Sequence, residues 1–316
     1  MCTAILNGSY AGRNLDIENG YGESLIITPR NYVIPLRKND NIRTHYAFIG
    51  IGIIERGYPL YYDAVNEHGL YIAGLNYVDN AKYHAPSEKM LNLAPYELIP
   101  YLLSTCKSTH EAKKALQSIN FVDIPFSREF PSSELHFFIT DKNEAITVEP
   151  DADGINVYTN KIGVLTNNPP FPLQMHNLSN YAGLTSGPLN NRFCKSIHLK
   201  EYSKGMGAIG LPGDLSSQSR FVRASFHKVN CVESGDPCDI FHLLSSVSMP
   251  RGSVKIGDEY EHTVYTSAVD LATLTYYYKT YESSAICSAK LFNANLDSVS
   301  LESYPLLTVR KVFSHN

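Results

Sequence analysis

Met1-Cys2-Thr3-Ala4-Ile5-Leu6-Asn7-Gly8-Ser9-Tyr10-Ala11-Gly12-Arg13-Asn14-Leu15-Asp16 opens the chain. Thr3–Asn7 reads as a strand, and Gly8 and Ser9 form a short turn. Gly12–Asp16 then returns beside it as the second arm of a hairpin. Cys2 would begin the first strand at a sheet end. Removal of an initiator methionine requires a small second residue, and cysteine is one. Removal would leave a thiol and a free α-amine on the same residue. An α-amine titrates near ~7.7–8.0, and a catalytic base works best near operating pH. The amine can take the thiol proton and later pass it to a leaving group, as in enzymes with an N-terminal threonine. Arg13 would favour the thiolate. Asp16 could hold the amine. Positions 13 and 16 differ by an odd number, so a regular strand points them to opposite faces. Both reach the same face only if the strand ends or bulges between them. A surface charge pair is the plainer alternative.

The remaining sequence sets the frame. The chain has 316 residues, 43% hydrophobic and 18% charged, with a formal net charge of −4. That balance gives no reason to expect a nucleic-acid or anionic-membrane partner. No run of eighteen apolar residues predicts a membrane span, and no secretory leader is evident at the start, so a cytoplasmic location is expected. Six cysteines, none in a C-x-x-C pair, are too sparse for a disulfide scaffold. No phosphate loop or H-E-x-x-H motif occurs, so neither a metal nor a cofactor is implied. Tryptophan is absent, whereas there are 22 tyrosines and 13 phenylalanines. These suit aromatic core packing or a site for a bulky apolar ligand.

Short β-branched or aromatic runs predict strands at 24–28, 32–36, 46–54, 60–65 and 70–76, and later at 136–140, 145–149, 163–166, 263–267 and 273–278. Several are apolar throughout, which predicts cover on both faces. Residues 95–104 read as a buried helix. Ser108-Thr109-His110-Glu111 reads as a capping box opening a helix to about Ile119. Residues 220–229 read as a helix, and Asp236-Pro237 as an N-cap and first helical residue of another, ending near Val247. Strands and helices are grouped, which argues for an α+β layered fold.

The opening motif resembles that of the choloylglycine hydrolase family, which includes bile salt hydrolases and penicillin V acylases. Further blocks carry the resemblance in family order: Ile27-Thr28-Pro29-Arg30-Asn31-Tyr32, Pro59-Leu60-Tyr61-Tyr62-Asp63-Ala64, Asn66-Glu67-His68-Gly69-Leu70 and Ala73-Gly74-Leu75-Asn76-Tyr77. Gly163 to Pro169, Leu211-Pro212-Gly213-Asp214 and Ser219-Arg220-Phe221-Val222-Arg223 complete them. The resemblance implies an N-terminal-nucleophile fold, a four-layer αββα sandwich of two stacked antiparallel sheets, spanning residues 1–316 as one domain. It implies a bacterial cytoplasmic enzyme, a homotetramer, with an assembly loop at about 176–199.

Catalytic roles follow from the same resemblance. Cys2 is the implied nucleophile, with Arg13 and Asp16 orienting it. Asn76 would lend its backbone amide and Asn167 its side-chain amide to an oxyanion hole. Arg220 would complete the charged cluster. The implied reaction is cleavage of the amide of glycine- or taurine-conjugated bile acids, of the glycocholate or taurocholate type. Asn76 favours this branch over the penicillin acylases, which tend to carry tyrosine there. Ile17, Tyr21, Phe126, Phe130 and residues 55–60 are candidate walls of a substrate groove. Two tryptophans expected in such enzymes are replaced by Tyr101 and Phe137. A penicillin V acylase, an N-acyl homoserine lactone acylase and a non-catalytic steroid-binding relative are the alternatives.

Overall fold

The computed structural model describes residues 1–310, 312, 314 and 315. Strands β1 (Cys2–Asn7) and β2 (Tyr10–Ile17) form the opening hairpin, followed by β3 (Ser24–Thr28), β4 (Phe48–Glu55), β5 (Tyr58–Asn66) and β6 (Tyr71–Asn76). Helices α1 (Leu98–Thr105) and α2 (Thr109–Leu116) lie between the short strands β7 (Leu91–Leu93) and β8 (Ile119–Phe121). Strands β9 (Leu135–Thr140), β10 (Ala145–Asp151), β11 (Gly154–Thr159) and β12 (Val164–Leu165) lead to helices α3 (Phe171–Leu178), α4 (Ser217–Asn230) and α5 (Cys238–Ser245). The chain then adds β13 (Val254–Ile256), β14 (Glu259–Asp270), β15 (Thr275–Thr280), β16 (Cys287–Lys290) and β17 (Glu302–Pro305).

Two antiparallel sheets result. One runs β12-β1-β2-β14-β15-β16, with β13 paired to β14; the other runs β11-β10-β9-β6-β5-β4-β3-β17. Helices α4 and α5 pack on β1 and β2 of the first sheet, and α1 packs on β5 and β6 of the second. This is the expected αββα arrangement. The apolar runs of β1 and β4 are buried nearly throughout because each sheet has a helix layer on one side and the other sheet on the opposite side. One hydrophobic cluster fills the space that β1, β2 and β14 share with the inner face of the second sheet and with α4 and α5. A second lies under α1 and α2.

The opening hairpin is regular. Cys2 pairs with Leu15, Ala4 with Arg13 and Asn7 with Tyr10. Gly8 turns the chain with φ of +57°, a conformation glycine adopts without steric penalty. Gly12 answers a different need. A Cβ there would lie 2.2 Å from the carbonyl oxygen of Ser267 on β14, so only glycine allows the two strands to approach.

Several elements differ from expectation. Residues 32–36 form no strand, only a single bridge between Ile34 and Ile42; Pro29 and Pro35 interrupt the run, and Pro35 has no N–H for a ladder. Helix α2 ends at Leu116 because Ile119–Phe121 pairs in parallel with Leu91–Leu93. Its Ser108 cap is in place, accepting a hydrogen bond from the Glu111 backbone N–H. Pro237 is itself the N-cap of α5, and the helix stops at Ser245. Asp236 nonetheless accepts a bond from the Cys238 N–H at 2.7 Å.

Candidate active site

The first sheet's opening strand delivers Cys2 to a place where both sheets and α4 converge. Cys2 is 2% exposed. Across the hairpin, Arg13 extends between the two sheets and is fully buried. Its Nη2–H donates to Cys2 Sγ at 2.6 Å. Its Nη1 donates to the carbonyls of Gly74 at 2.6 Å and Tyr62 at 2.9 Å, both on the opposing sheet. These three acceptors, with the Asn14 carbonyl at 3.3 Å from Nε, hold the guanidinium in one orientation. Burial works against its charge, but Cys2, Tyr265 and Asp63 outweigh that, and Arg13 is held above its ordinary range.

Behind Arg13 lies a buried carboxylate that sequence reasoning did not single out. Asp63 accepts bonds from the hydroxyls of Tyr265 (2.6 Å), Tyr276 (2.6 Å), Tyr71 (3.0 Å) and Ser267 (3.1 Å). Ser267 Oγ in turn accepts from the Arg13 backbone N–H. Burial raises Asp63, opposed by Arg13 and the tyrosine hydroxyls. Three of the 22 tyrosines are used here, where an aromatic body packs and its hydroxyl bonds.

Asp16 takes the opposite face. Strand β2 stays regular against β1, and the irregularity falls instead on β14, between Thr263 and Tyr265. Arg13 and Asp16 therefore do not converge on the sulfur. Arg13 meets the thiol, while Asp16 lies on the side of β1 that faces α4. Thr263 donates to Asp16 Oδ1 at 2.6 Å, and Asp16 Oδ2 is buried with no partner. Burial raises Asp16, opposed by Arg220 and the amino terminus.

Arg220, in the first turn of α4, also reaches the backbone side of Cys2. It donates to Cys2 O at 2.6 Å, Thr3 Oγ1 at 2.7 Å and Asn167 Oδ1 at 2.8 Å. It makes no hydrogen bond to the thiol. Burial lowers its pKa, with Asp16, Cys2 and Glu261 opposing.

Asn167, just after β12, joins the two sides. Its Oδ1 accepts from the Cys2 backbone N–H at 2.8 Å, and its Nδ2 donates to Asn76 O at 2.8 Å. Two donors facing Oδ1 and an acceptor facing Nδ2 fix the amide orientation. One Nδ2 hydrogen is left for another acceptor. Ser217 Oγ accepts from the Asn167 N–H, and Gln174 donates to the Asn167 carbonyl. His136, with the Tyr77 ring stacked at 4.5 Å, sits between Glu149 and the carbonyl of Thr166. These supports come from β9, β10, α3 and α4. Only the local Asn167-Asn168-Pro169 turn could be suspected from sequence.

Beside Cys2 a groove of about 280 Å³ opens to solvent. Ile17, Tyr21, Phe126 and Phe130 all line it, together with Asn76 and Phe137. The Tyr21 and Phe130 rings meet at 6.0 Å across its mouth. Of residues 55–60 only Leu60 contributes; Arg56 and Gly57 form the turn between β4 and β5, and Tyr58 is buried in the second core cluster. Tyr101 lies elsewhere, in a shallow depression beside residues 36–42. A more polar cleft of about 580 Å³ shares Asn76 and Ser133 with the groove and includes Lys82, Asp123 and Glu134. Cys2 lines the apolar groove and not the polar cleft.

The stacked antiparallel sheets, with a cysteine-led hairpin between β12 and β14, define the N-terminal-nucleophile hydrolase fold. Crystal structures agree: the conjugated bile acid hydrolase of Clostridium perfringens superposes with a TM-score of 0.93 at 33% identity, covering 100% of both chains. Penicillin V acylase of Agrobacterium tumefaciens shares the fold, at TM-score 0.73 and 18% identity over 96% of this chain and 90% of that one. Residues 2–304 match the linear amide C–N hydrolases of the choloylglycine hydrolase family, and the chain belongs to that family. It is 46% identical to the bile salt hydrolase/transferase of Lactiplantibacillus plantarum over 100% of both chains. It is 40% identical to the conjugated bile acid hydrolase of Lactobacillus gasseri over 88% of this chain and 92% of that protein. Among the described residues no helix is long and apolar enough to cross a membrane.

Proposed function

We propose that the protein hydrolyses the amide of glycine- or taurine-conjugated bile acids through Cys2, after removal of Met1. The contact that carries this reading is the 2.6 Å bond from Arg13 to the Cys2 sulfur, at the foot of an apolar aromatic groove. A guanidinium at that distance favours thiolate. The groove suits a rigid apolar acyl group, whose binding comes from area removed from water.

In the proposed reaction the thiolate attacks the amide carbonyl, forming the C–S bond. The carbonyl oxygen becomes an oxyanion and accepts bonds from the free Nδ2 hydrogen of Asn167 and the Asn76 backbone amide. The Cys2 α-amine, having taken the thiol proton, gives it to the departing nitrogen as the C–N bond breaks. Water then attacks the thioester carbonyl and passes a proton to the amine, the C–S bond breaks, and the carboxylic acid leaves a thiolate beside the ammonium, the pair that began the cycle. Asn167 Oδ1 already holds the nitrogen that would become the α-amine, and Arg220 holds Asn167. Asp16, on the face away from the sulfur, keeps one buried oxygen free for that amine.

Rates on glycocholate, taurocholate and penicillin V, measured side by side, test the substrate class. The conjugated bile salts are expected to turn over fastest, and faster turnover of penicillin V overturns the assignment. The assembly loop is proposed as a subunit contact. It begins within α3, and the segment after it exposes Phe193, Ile197, Leu199 and Tyr202. A native mass of four chains is expected, and a monomer at assay concentration contradicts it. All six cysteines are free, which suits a reducing cytoplasm, and cell fractionation checks that placement.

A further inference from the structure

On the side of Cys2 away from the groove, near Asp16, lies a second buried carboxylate that the mechanism above leaves unused. Glu261, on β14, is 3% exposed. Its Oε1 accepts from the Met1 ammonium at 2.6 Å, and its Oε2 is buried with no partner. The Met1 ammonium also bonds the carbonyl of Asp16, whose Oδ2 is likewise buried and unpartnered. Glu261 thus pairs directly with the cationic amino terminus, and the Asp16 carboxylate lies near enough to feel its charge, each with a spare oxygen.

Removal of Met1 leaves the chain with the same positive charge, moved inward by one residue, ~3.8 Å along the backbone. Glu261 would then be a buried carboxylate without its ion pair, a costly state unless another cation serves it. The new ammonium of Cys2 is the available cation. It sits where Asn167 Oδ1 now receives the Cys2 N–H, and the room vacated by Met1 lets Glu261 or a bridging water reach it.

We propose that Glu261 is a positioning residue for the α-amine of Cys2, acting as its counter-charge once Met1 is gone. This rests on the reading of Cys2 as the amino-terminal nucleophile. The charged and titratable groups around that amine are Asp16 and Arg13 from β2, Glu18 just beyond it, Glu261 and His262 from β14, and Arg220 from α4. Arg251 approaches from outside, at 3.0 Å from His262. Glu261 differs from Asp16 in that no side chain donates to it.

The sign of its effect follows. A carboxylate near an ammonium favours the charged form and raises its pKa. The working base is the neutral amine, so Glu261 holds the acid limb of the pH profile at higher pH. Glu261→Gln is expected to move that limb of kcat/KM to lower pH by about one unit or more, with the plateau little changed. Activity well below the limb then rises about tenfold over wild type, one pKa unit being a factor of ten.

The test uses chains whose intact mass shows Cys2 first, treated with purified methionine aminopeptidase where Met1 remains. An acid limb of folded Glu261→Gln that coincides with wild type overturns the proposal. Should the glutamine variant not fold, Glu261→Asp, which withdraws the charge by one methylene, should shift the limb the same way by less, and no shift overturns the proposal. The same comparison in a Cys2→Ala background, with the amine followed by its rate of carbamylation by cyanate, needs no substrate. It separates failure of this proposal from failure of the bile-salt reading. A lower amine pKa without Glu261 supports the proposal there, and an unchanged one overturns it.

Discussion

Cys2→Ala is expected to abolish hydrolysis of glycocholate and taurocholate while leaving the fold intact. The substitution removes one sulfur from a strand end and keeps the backbone bond to Asn167 and the carbonyl contact from Arg220. Alanine is a small apolar replacement, so the loss of stability should stay within about 1 kcal/mol, as for many small core changes. The chemical loss is of another order. Removing the nucleophile takes away the covalent path, and residual rates in comparable triad enzymes come only from binding and the oxyanion hole. Turnover should fall by more than about 10⁴-fold. Melting temperature and turnover measured on the same preparation check both parts. Retention of a tenth of wild-type turnover would remove Cys2 from the chemistry.

Arg13→Leu is expected to damage stability and chemistry together. Leucine leaves the carbonyls of Gly74 and Tyr62 without their donor in a buried space. Each buried acceptor left unpaired costs about 1–3 kcal/mol. Asp63 also loses the buried cation that opposes its desolvation. A total near 4 kcal/mol is expected, at the upper end for a single substitution. The thiol loses its 2.6 Å partner at the same time. Its reactivity should fall, and kcat/KM should drop by about 10²–10³, as when one charge-stabilising donor is removed. The rate of Cys2 alkylation by iodoacetamide against pH reads the thiol directly. Arg13→Lys gives the contrast. Its single ammonium can stay near the sulfur but cannot span three acceptors, so it should recover part of the reactivity and little of the stability. An alkylation profile unchanged in Arg13→Leu would show that Arg13 does not govern the thiol.

The opening hairpin was legible because it is local. Its most distant partners are Cys2 and Leu15, the turn contains Gly8, and β1 is almost wholly apolar between Ala4 and Leu6. Its environment was not. The strand beside β2 is β14, near the far end of the chain, and no short-range pattern announces that pairing. For that reason Thr263 and Tyr265 were legible only as strand residues and Glu261 not at all, although each touches the hairpin or the amino terminus. Asp63 was visible only as a letter in a family block; its tyrosine partners come from both sheets.

Arg13 and Asp16 project to opposite faces of β2, as their odd spacing predicts. No bulge in β2 brings the two side chains together. The strand stays straight, and a buried cysteine at its neighbour's end is approached from two directions. Arg13 comes to the sulfur from between the sheets. Asp16 and Arg220 stay on the backbone side, where an amine would appear. The groove walls Tyr21, Phe126 and Phe130 sit on irregular segments, so family position located them where periodicity could not.

Whether a free amine on residue 2 drives the reaction is settled most directly by preparing one batch of chain with Met1 retained and one with Cys2 first, each verified by intact mass. Both are then assayed on glycocholate at equal concentration. Turnover is predicted for the second batch alone, appearing in the first only as methionine aminopeptidase is added. Equal turnover in both batches would contradict the account.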